Sequence, residues 1–248
     1  MQYREFGADR RETVLLLHGG GLSWWNYREA AERLQDDFRV ILPILDGHAG
    51  GDRAFTSIAD NALELLDFID RELGGSVALL GGLSLGGQVA LEMLSRRGDI
   101  CRAALIESAA VVPDRLTAAL VGPALAGSYG LVRKRWFARL QFRSLRIQPP
   151  LFEDYYRDSC AVSRKNMAAF LRASALYAPN EALSACAADV HVFVGQREIA
   201  RMRASARRLR EALPGSELTV LPGLAHGEFS LNHPDAYAES VRSLLQNP

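Results

Sequence analysis

The sequence has few cysteines, and they follow no metal-binding or disulfide pattern. Cys101, Cys160 and Cys186 lie far apart, their number is odd, and no C-x-x-C spacing occurs. These features give no support for a disulfide framework or for a cysteine zinc site. We therefore expect small buried thiols and no bound metal.

Long apolar runs are also absent. No stretch approaches the ~18 apolar residues that a membrane-spanning helix needs. The first residues, Met1 to Phe6, lack the basic region and following apolar stretch that mark a secretory signal. The sequence is thus typical of a cytoplasmic protein.

The chain has no excess of charge of either sign, since 29 Lys and Arg balance 29 Asp and Glu. A net charge of zero gives no global electrostatic reason to expect nucleic acid or a membrane as a partner. We expect neither, and we expect a small-molecule substrate instead. The 248 residues, 48% of them hydrophobic, suit one soluble globular core near the upper size limit.

Short apolar runs alternate with helical patterns along most of the chain. This alternation predicts an α/β fold with a mostly parallel, doubly wound sheet. The predicted strands cover 13–17, 38–42, 77–81, 102–106, 190–194 and 217–221.

The alternation stops between residues 111 and 186, where helical stretches occur without a convincing strand. We expect a core domain over 1–110 and 187–248, with 111–186 inserted as a helical cap. The aromatic residues of the insertion favour an apolar pocket. Its prolines are expected to divide it into short helices; they are Pro113, Pro123, Pro149, Pro150 and Pro179.

Ser84 stands in the segment Gly82-Leu83-Ser84-Leu85-Gly86-Gly87, after a predicted strand and before a predicted helix. Glycines on both sides let a strand and a helix approach closely around a strained turn. A serine in such a turn lies at a helix N-terminus, where free backbone N–H groups can hold a developing anion. The segment therefore predicts a nucleophilic serine.

Two further polar residues follow predicted strands. Glu198 comes shortly after the strand at 190–194, and His226 follows the strand at 217–221. In doubly wound sheets, ligand sites lie beyond the carboxyl ends of the strands. A serine needs a base and an orienting acid to become a good nucleophile, and both types occur here.

These motifs resemble those of the α/β-hydrolase superfamily over nearly the whole chain. The matching segments are His18-Gly19-Gly20-Gly21, Gly47-His48, Gly82-x-Ser84-x-Gly86-Gly87, Gly195-x-x-Glu198 and Gly223-x-x-His226-Gly227. The resemblance implies an α/β-hydrolase fold with a cap and no cofactor. It implies that Ser84 attacks a carbonyl carbon, that His226 transfers the proton and that Glu198 orients the imidazole. The implied oxyanion donors are the backbone N–H groups of Gly20 and Leu85.

Alternatives remain for the acid and the reaction. Glu107, directly after the strand at 102–106, is a rival for Glu198. Gly21, Trp24 and Trp136 are candidate pocket residues. The resemblance favours a serine hydrolase that cleaves an ester or thioester of a small, fairly apolar compound through an acyl-enzyme. A C–C bond or peptide hydrolase and a non-hydrolytic binding or lyase-like member are the other hypotheses.

Overall fold

A single seven-stranded sheet forms the centre of the protein. The structure, a computed structural model, describes residues 1–246. The strand order is β1-β3-β2-β4-β5-β6-β7; β1 is antiparallel to β3, and the other neighbours are parallel. The strands are β1 (Tyr3–Phe6), β2 (Thr13–Leu17), β3 (Arg39–Pro43), β4 (Val77–Leu83), β5 (Cys101–Glu107), β6 (Asp189–Gly195) and β7 (Glu217–Leu221).

The predicted α/β class and mostly parallel sheet are confirmed by this topology. Every residue of β2 and β4 is buried, because parallel strands in the middle of a sheet are covered on both faces. Strand β1 has no counterpart among the predicted strands. Its four residues are all exposed or half-buried and lie at the sheet edge, so they show no apolar run.

Helices cover both faces of the sheet. Buried residues of α1 and α10 form one apolar layer, and those of α2, α3 and α8 form the other. The ten helices of the described part of the chain are α1 (Arg28–Leu34), α2 (Ile58–Glu72), α3 (Leu85–Arg96), α4 (Arg115–Val132), α5 (Arg135–Ser144), α6 (Phe152–Ala161), α7 (Arg164–Leu176), α8 (Ala200–Ala212), α9 (Glu228–Asn232) and α10 (Pro234–Gln246).

The chain between β5 and β6 contains α4 to α7 and short 3-10 turns at Pro149–Leu151 and Glu181–Ala185. We call residues 111–186 the cap segment. One expectation here is wrong, because Pro123 lies inside α4 and does not end it. Proline removes one helical hydrogen bond. Pro123 and Ala119, whose carbonyl loses its donor, are both exposed, so water can bond that carbonyl.

No helix within residues 1–246 has the length and apolar character needed to cross a bilayer.

Candidate active site

Ser84 occupies a strained turn between β4 and α3. Its backbone has φ 53° and ψ −110°, a region that residues with a Cβ rarely adopt. A Cβ on Gly86 would lie 2.0 Å from the carbonyl oxygen of Leu17, and one on Gly82 would lie 2.5 Å from Gly86. The two glycines therefore permit the close packing that holds the Ser84 hydroxyl at the carboxyl end of the sheet.

The structure brings Ser84, His226 and Glu198 together. Ser84 Oγ donates to His226 Nε2 over 3.1 Å, and His226 Nδ1 donates to Glu198 Oε2 over 2.9 Å. These contacts join the ends of β4, β6 and β7, which are separated along the chain. A carboxylate on Nδ1 leaves Nε2 as an acceptor facing the hydroxyl, which is the arrangement a general base needs.

Glu198 is only 4% exposed, and its carboxylate has partners on both oxygens. Besides His226, Ser108 Oγ donates to Oε1 over 2.7 Å and the Gly195 N–H donates to the same oxygen over 2.9 Å. Burial opposes ionisation, but the hydrogen bonds from His226, Ser108 and Gly195 outweigh it, so the pKa of Glu198 lies below its usual value. Glu198 is therefore an anion at neutral pH.

Ser108 also contacts the candidate site, although no motif in the sequence predicts it. It follows β5 directly and has φ 54°, and its N–H donates to Phe193 O over 2.9 Å. In this unusual backbone conformation, the Ser108 hydroxyl donates its hydrogen bond to Glu198. A strained serine at a strand end has no distinctive motif, so only its position after β5 could have indicated it.

Glu107 lies one residue earlier and has a different environment. It is buried, and its carboxylate accepts the Ser230 N–H over 3.2 Å. Burial raises the pKa of Glu107 to about 7. The structure thus places Glu198, and not its rival, in hydrogen-bonding contact with His226.

A buried series of hydrogen bonds ties the surrounding segments together. The Gly19 N–H donates to Asn26 Oδ1 over 3.2 Å, and Asn26 Nδ2 donates to Ser230 Oγ over 3.3 Å. The Ser230 N–H donates a hydrogen bond to the Glu107 carboxylate. The backbone oxygen of Glu107 in turn accepts the Ser84 N–H over 2.8 Å. The glycine loop after β2, the helix after His226 and the Ser84 turn are therefore joined behind the site.

The backbone N–H groups of Gly20 and Leu85 have no acceptor within residues 1–246. The two residues are neighbours, since a Cβ on Gly20 would lie 3.6 Å from the Leu85 Cβ. The Gly21 N–H, in contrast, donates to His48 Nε2 over 3.0 Å. Gly20 and Leu85 thus both have free donors beside Ser84, whereas the donor of Gly21 is already engaged.

His18 and His48 are buried behind this glycine loop and serve as acceptors. His18 Nε2 accepts the Leu45 N–H over 3.1 Å, and the two rings meet edge to face at 4.8 Å. Burial, with a contribution from His48, lowers the pKa of His18 to about 3. Burial lowers the pKa of His48 to about 4. Both imidazoles are therefore neutral near pH 7 and hold the backbone of the loop.

A small apolar cavity of about 70 Å³ opens beside Ser84 and His226. Leu145 and Ile147, from the cap segment, contribute to its wall. Neither residue was selected from the sequence, because their place depends on how the cap segment packs. The other residues that line the cavity are Gly19, Gly20, Leu22, Leu83, Gly227 and Leu231.

The three candidate pocket residues lie outside this cavity. The Gly21 N–H is bonded to His48. Trp24 lies beneath the guanidinium groups of Arg4 and Arg28 and faces a separate surface depression. Trp136 is 64% exposed. The structure therefore brings none of the three to the wall beside Ser84.

One acidic group within residues 1–246 has the spacing of a metal site. The carboxylates of Asp46, Asp52 and Glu64 lie within 4.8 Å of one another. Arg53 forms an ion pair with Glu64 over 2.9 Å and approaches Asp46 at 3.8 Å. The N-terminal ammonium group of Met1 lies 3.6 Å from Asp52 and 3.7 Å from Glu64, so it adds a second positive charge to that of Arg53 beside these carboxylates.

Several solved structures share this fold. The esterase EaEST from Exiguobacterium antarcticum matches with a TM-score of 0.83 at 21% identity, covering 99% of this chain and 95% of its own. The enol-lactonase from Burkholderia xenovorans LB400 gives 0.82 at 16% identity, covering 99% and 96%. A thermophilic esterase from Thermogutta terrifontis gives 0.78 at 24% identity, covering 99% and 92%.

The sequence model described as "Alpha/beta hydrolase family" matches residues 14–240. The matched range includes the Ser84 turn, the cap segment and the loops that carry Glu198 and His226. This match over most of the chain agrees with the motifs and with the sheet topology, and it shows that the protein belongs to the alpha/beta hydrolase family.

Proposed function

We propose that the protein is a serine hydrolase that cleaves an ester or thioester of a small, fairly apolar compound through an acyl-enzyme. The main support is the unbroken hydrogen-bonded series from Ser84 through His226 to Glu198, with contacts of 3.1 and 2.9 Å. Nucleophile, base and acid are all in hydrogen-bonding contact, so the hydroxyl can be activated without rearrangement.

The first half-reaction transfers the acyl group to Ser84. His226 Nε2 takes the hydroxyl proton as Oγ bonds to the carbonyl carbon, and the carbonyl oxygen becomes an oxyanion. The N–H groups of Gly20 and Leu85 stabilise that oxyanion. His226 then gives the proton to the departing alkoxide or thiolate while the C–O or C–S bond breaks. Glu198 stabilises the imidazolium between the two steps.

The second half-reaction releases the acyl group to water. His226 takes a proton from a water molecule as the water oxygen bonds to the acyl carbon. Collapse of the second tetrahedral intermediate breaks the bond to Ser84 Oγ, and His226 returns the proton to Oγ. The products are a carboxylic acid and the free hydroxyl of Ser84, so the site is ready for another cycle.

The cavity wall supports an apolar acyl group. Leucine and isoleucine make up five of the ten lining residues, and the volume is about 70 Å³. A cavity of this size favours a short acyl chain, since typical ligand pockets occupy roughly 300–1,000 Å³. The leaving group would then extend toward the solvent side of Leu145, which is half-exposed.

A fluorophosphonate probe tests the nucleophile directly. We expect native protein to be labelled at Ser84, and Ser84→Ala to lose both labelling and at least about 10⁴-fold of turnover. Ser240→Ala, on the outer helix α10, is the matched control and retains both properties. Equal labelling of Ser84→Ala and native protein would contradict the proposal.

The bond that is cleaved is tested with a substrate panel. p-Nitrophenyl esters, acyl-CoA thioesters and lactones of increasing chain length should show the highest kcat/KM for short acyl groups. A preference for peptides or for β-diketone C–C bonds would identify one of the other hydrolase reactions. Labelling at Ser84 without turnover of any panel member would instead favour a binding role.

A further inference from the structure

Helix α4 exposes several large apolar side chains after its first residue. Leu116 is 71% exposed and Leu120 is 54% exposed, and Leu131 is also exposed. The helical repeat places these three leucines within an arc of about 60°. From Leu116 to Val132 the sequence contains no charged residue. Helices on a solvated surface normally carry charges there, so this face lacks the charged side chains of an ordinary solvated helix.

Helix α5 presents a mixed apolar and basic face. Trp136 is 64% exposed and Leu140 is 61% exposed, and Arg139 and Arg143 are exposed as well. The helical repeat brings all four within an arc of about 100°. Leucine and tryptophan next to arginine on one face is the pattern of a helix that lies in a membrane interface.

The zero net charge of the chain conceals a division between its two parts. The cap segment has eleven Arg and Lys against five Asp and Glu, and the rest of the chain has eighteen against twenty-four. The cap segment is thus positive by six charges, and the remainder is negative by six. Such an asymmetry orients a protein with its positive side toward an anionic surface.

We propose that the exposed faces of α4 and α5, the outer cap surface, bind an anionic lipid bilayer. The leucines and Trp136 enter the interface, and the arginines pair with lipid phosphates. This proposal departs from the expectation, based on the whole-chain charge, that no membrane is a partner. A two-fold dimer through the same surface is disfavoured, because it would bring Arg139 and Arg143 against their own copies.

The same surface leads to the site. Leu145, which follows α5 directly, is half-exposed and also lines the cavity beside Ser84. A bilayer in contact with α5 therefore lies next to the cavity entrance. This position would let an apolar compound dissolved in the bilayer reach the cavity without crossing much water.

Vesicle co-sedimentation of the whole protein tests the inference without any turnover. Ser84→Ala protein is used, so that lipid hydrolysis cannot alter the vesicles. We expect binding to vesicles of equal parts phosphatidylcholine and phosphatidylglycerol, and at least tenfold weaker binding to phosphatidylcholine alone. Binding to the anionic vesicles should also weaken strongly in about 1 M salt. Because no catalysis is measured, the result does not depend on the proposed hydrolase activity.

Variants assign the binding to the outer cap surface. Arg139→Gln/Arg143→Gln should weaken anionic-vesicle binding about 25-fold, or roughly fivefold per arginine. Leu116→Gln/Leu120→Gln should weaken it on the order of tenfold. The matched control, Leu63→Gln/Arg71→Gln on the exposed side of α2, should leave it unchanged. Trp136 fluorescence should shift to shorter wavelength with anionic vesicles, and Trp136→Phe should remove the shift.

Three results would overturn the inference. One is no binding to anionic vesicles, or equal binding to both kinds. Another is a loss of vesicle binding in the α2 control as large as that in the α4 and α5 variants, because the binding would then not be specific to the outer cap surface. The third is a dimer that Leu116→Gln/Leu120→Gln dissociates, in protein that does not bind vesicles, because a second copy would then cover the face. Thermal unfolding of each variant verifies that it is folded.

Discussion

The candidate active site at the carboxyl end of the sheet and the outer cap surface are built in opposite ways. Glu198 is buried and accepts hydrogen bonds from three different groups, whereas Leu116 and Leu120 are mostly exposed. Residues of the first kind are fixed by partners within the chain. Residues of the second kind have few such partners, so the fold alone does not account for them. Hydrogen bonds within the chain hold the site in place, whereas the exposed leucines of the cap segment face solvent.

Replacing the acid is the change we expect to have the largest effect on the core side of this comparison. Glu198→Gln removes the charge that stabilises the His226 imidazolium and disturbs the tautomer that Nδ1 requires. We expect kcat to fall by about 10⁴-fold, as when a triad carboxylate becomes an amide. Steady-state kinetics on the best substrate of the ester panel measures this loss.

Glu107→Gln is the matched control, because both carboxylates are buried at the ends of neighbouring strands. Its side chain is bonded to Ser230 and not to His226, and an amide oxygen can still accept that N–H. We expect less than a tenfold change in kcat. A larger loss for Glu107→Gln than for Glu198→Gln would reassign the acid to β5.

The parts of the site that could be predicted from the sequence are those with a local signal. Ser84 lies between glycines, and Glu198 and His226 each follow a run of apolar residues. Parallel strands bring their carboxyl ends to one edge, so local position along the chain was enough to group them. Six of the seven strands could be predicted in the same way. Five of these six are rich in buried apolar residues, which produce a clear apolar run in the sequence.

The parts that could not be predicted depend on distant contacts. Ser108 and Glu198 are separated by 90 positions, and Asn26 and Ser230 by 204, so no motif joins them. Leu145 and Ile147 reach the cavity only because of the way the cap segment packs, while Trp136 points to solvent. Aromatic content predicted an apolar pocket, but it did not identify which residues line it.

The buried histidines predict a measurable pH dependence of stability. The pKa values of His18 and His48 are lowered by burial to about 3 and about 4, while the unfolded chain has the ordinary value of about 6.5. Between these values the unfolded state binds about two more protons, so the free energy of unfolding falls as pH falls from 6.5 toward 4.

Glu107 acts in the opposite direction. Burial raises its pKa to about 7, above the ordinary carboxyl value, so between about pH 4.5 and 7 the folded state binds the extra proton. Near pH 5.5 the proton that Glu107 holds in the folded state therefore offsets about one of the two extra protons on the histidines of the unfolded state. Glu107→Gln should raise the slope of the unfolding free energy against pH by about 1.4 kcal/mol per pH unit there, as measured by urea unfolding at several pH values. An unchanged slope in the variant would show that Glu107 does not titrate there.

The smallest effect is expected for the outer cap surface in the absence of vesicles. Leu116→Gln/Leu120→Gln replaces side chains that are mostly exposed to water, so the free energy of unfolding should change by less than about 0.5 kcal/mol per residue. Leu34→Ala or Leu209→Ala, at fully buried positions, should cost about 2–5 kcal/mol each. Urea unfolding of the variants measures both values. A loss of several kcal/mol in the α4 variant would mean that these leucines stabilise the fold itself, and the distinction between the two regions would then fail. A small loss of unfolding free energy would mean that the apolar side chains of α4 have no role in folding. Contact with an external partner would then explain why four turns of solvent-facing helix carry no charge.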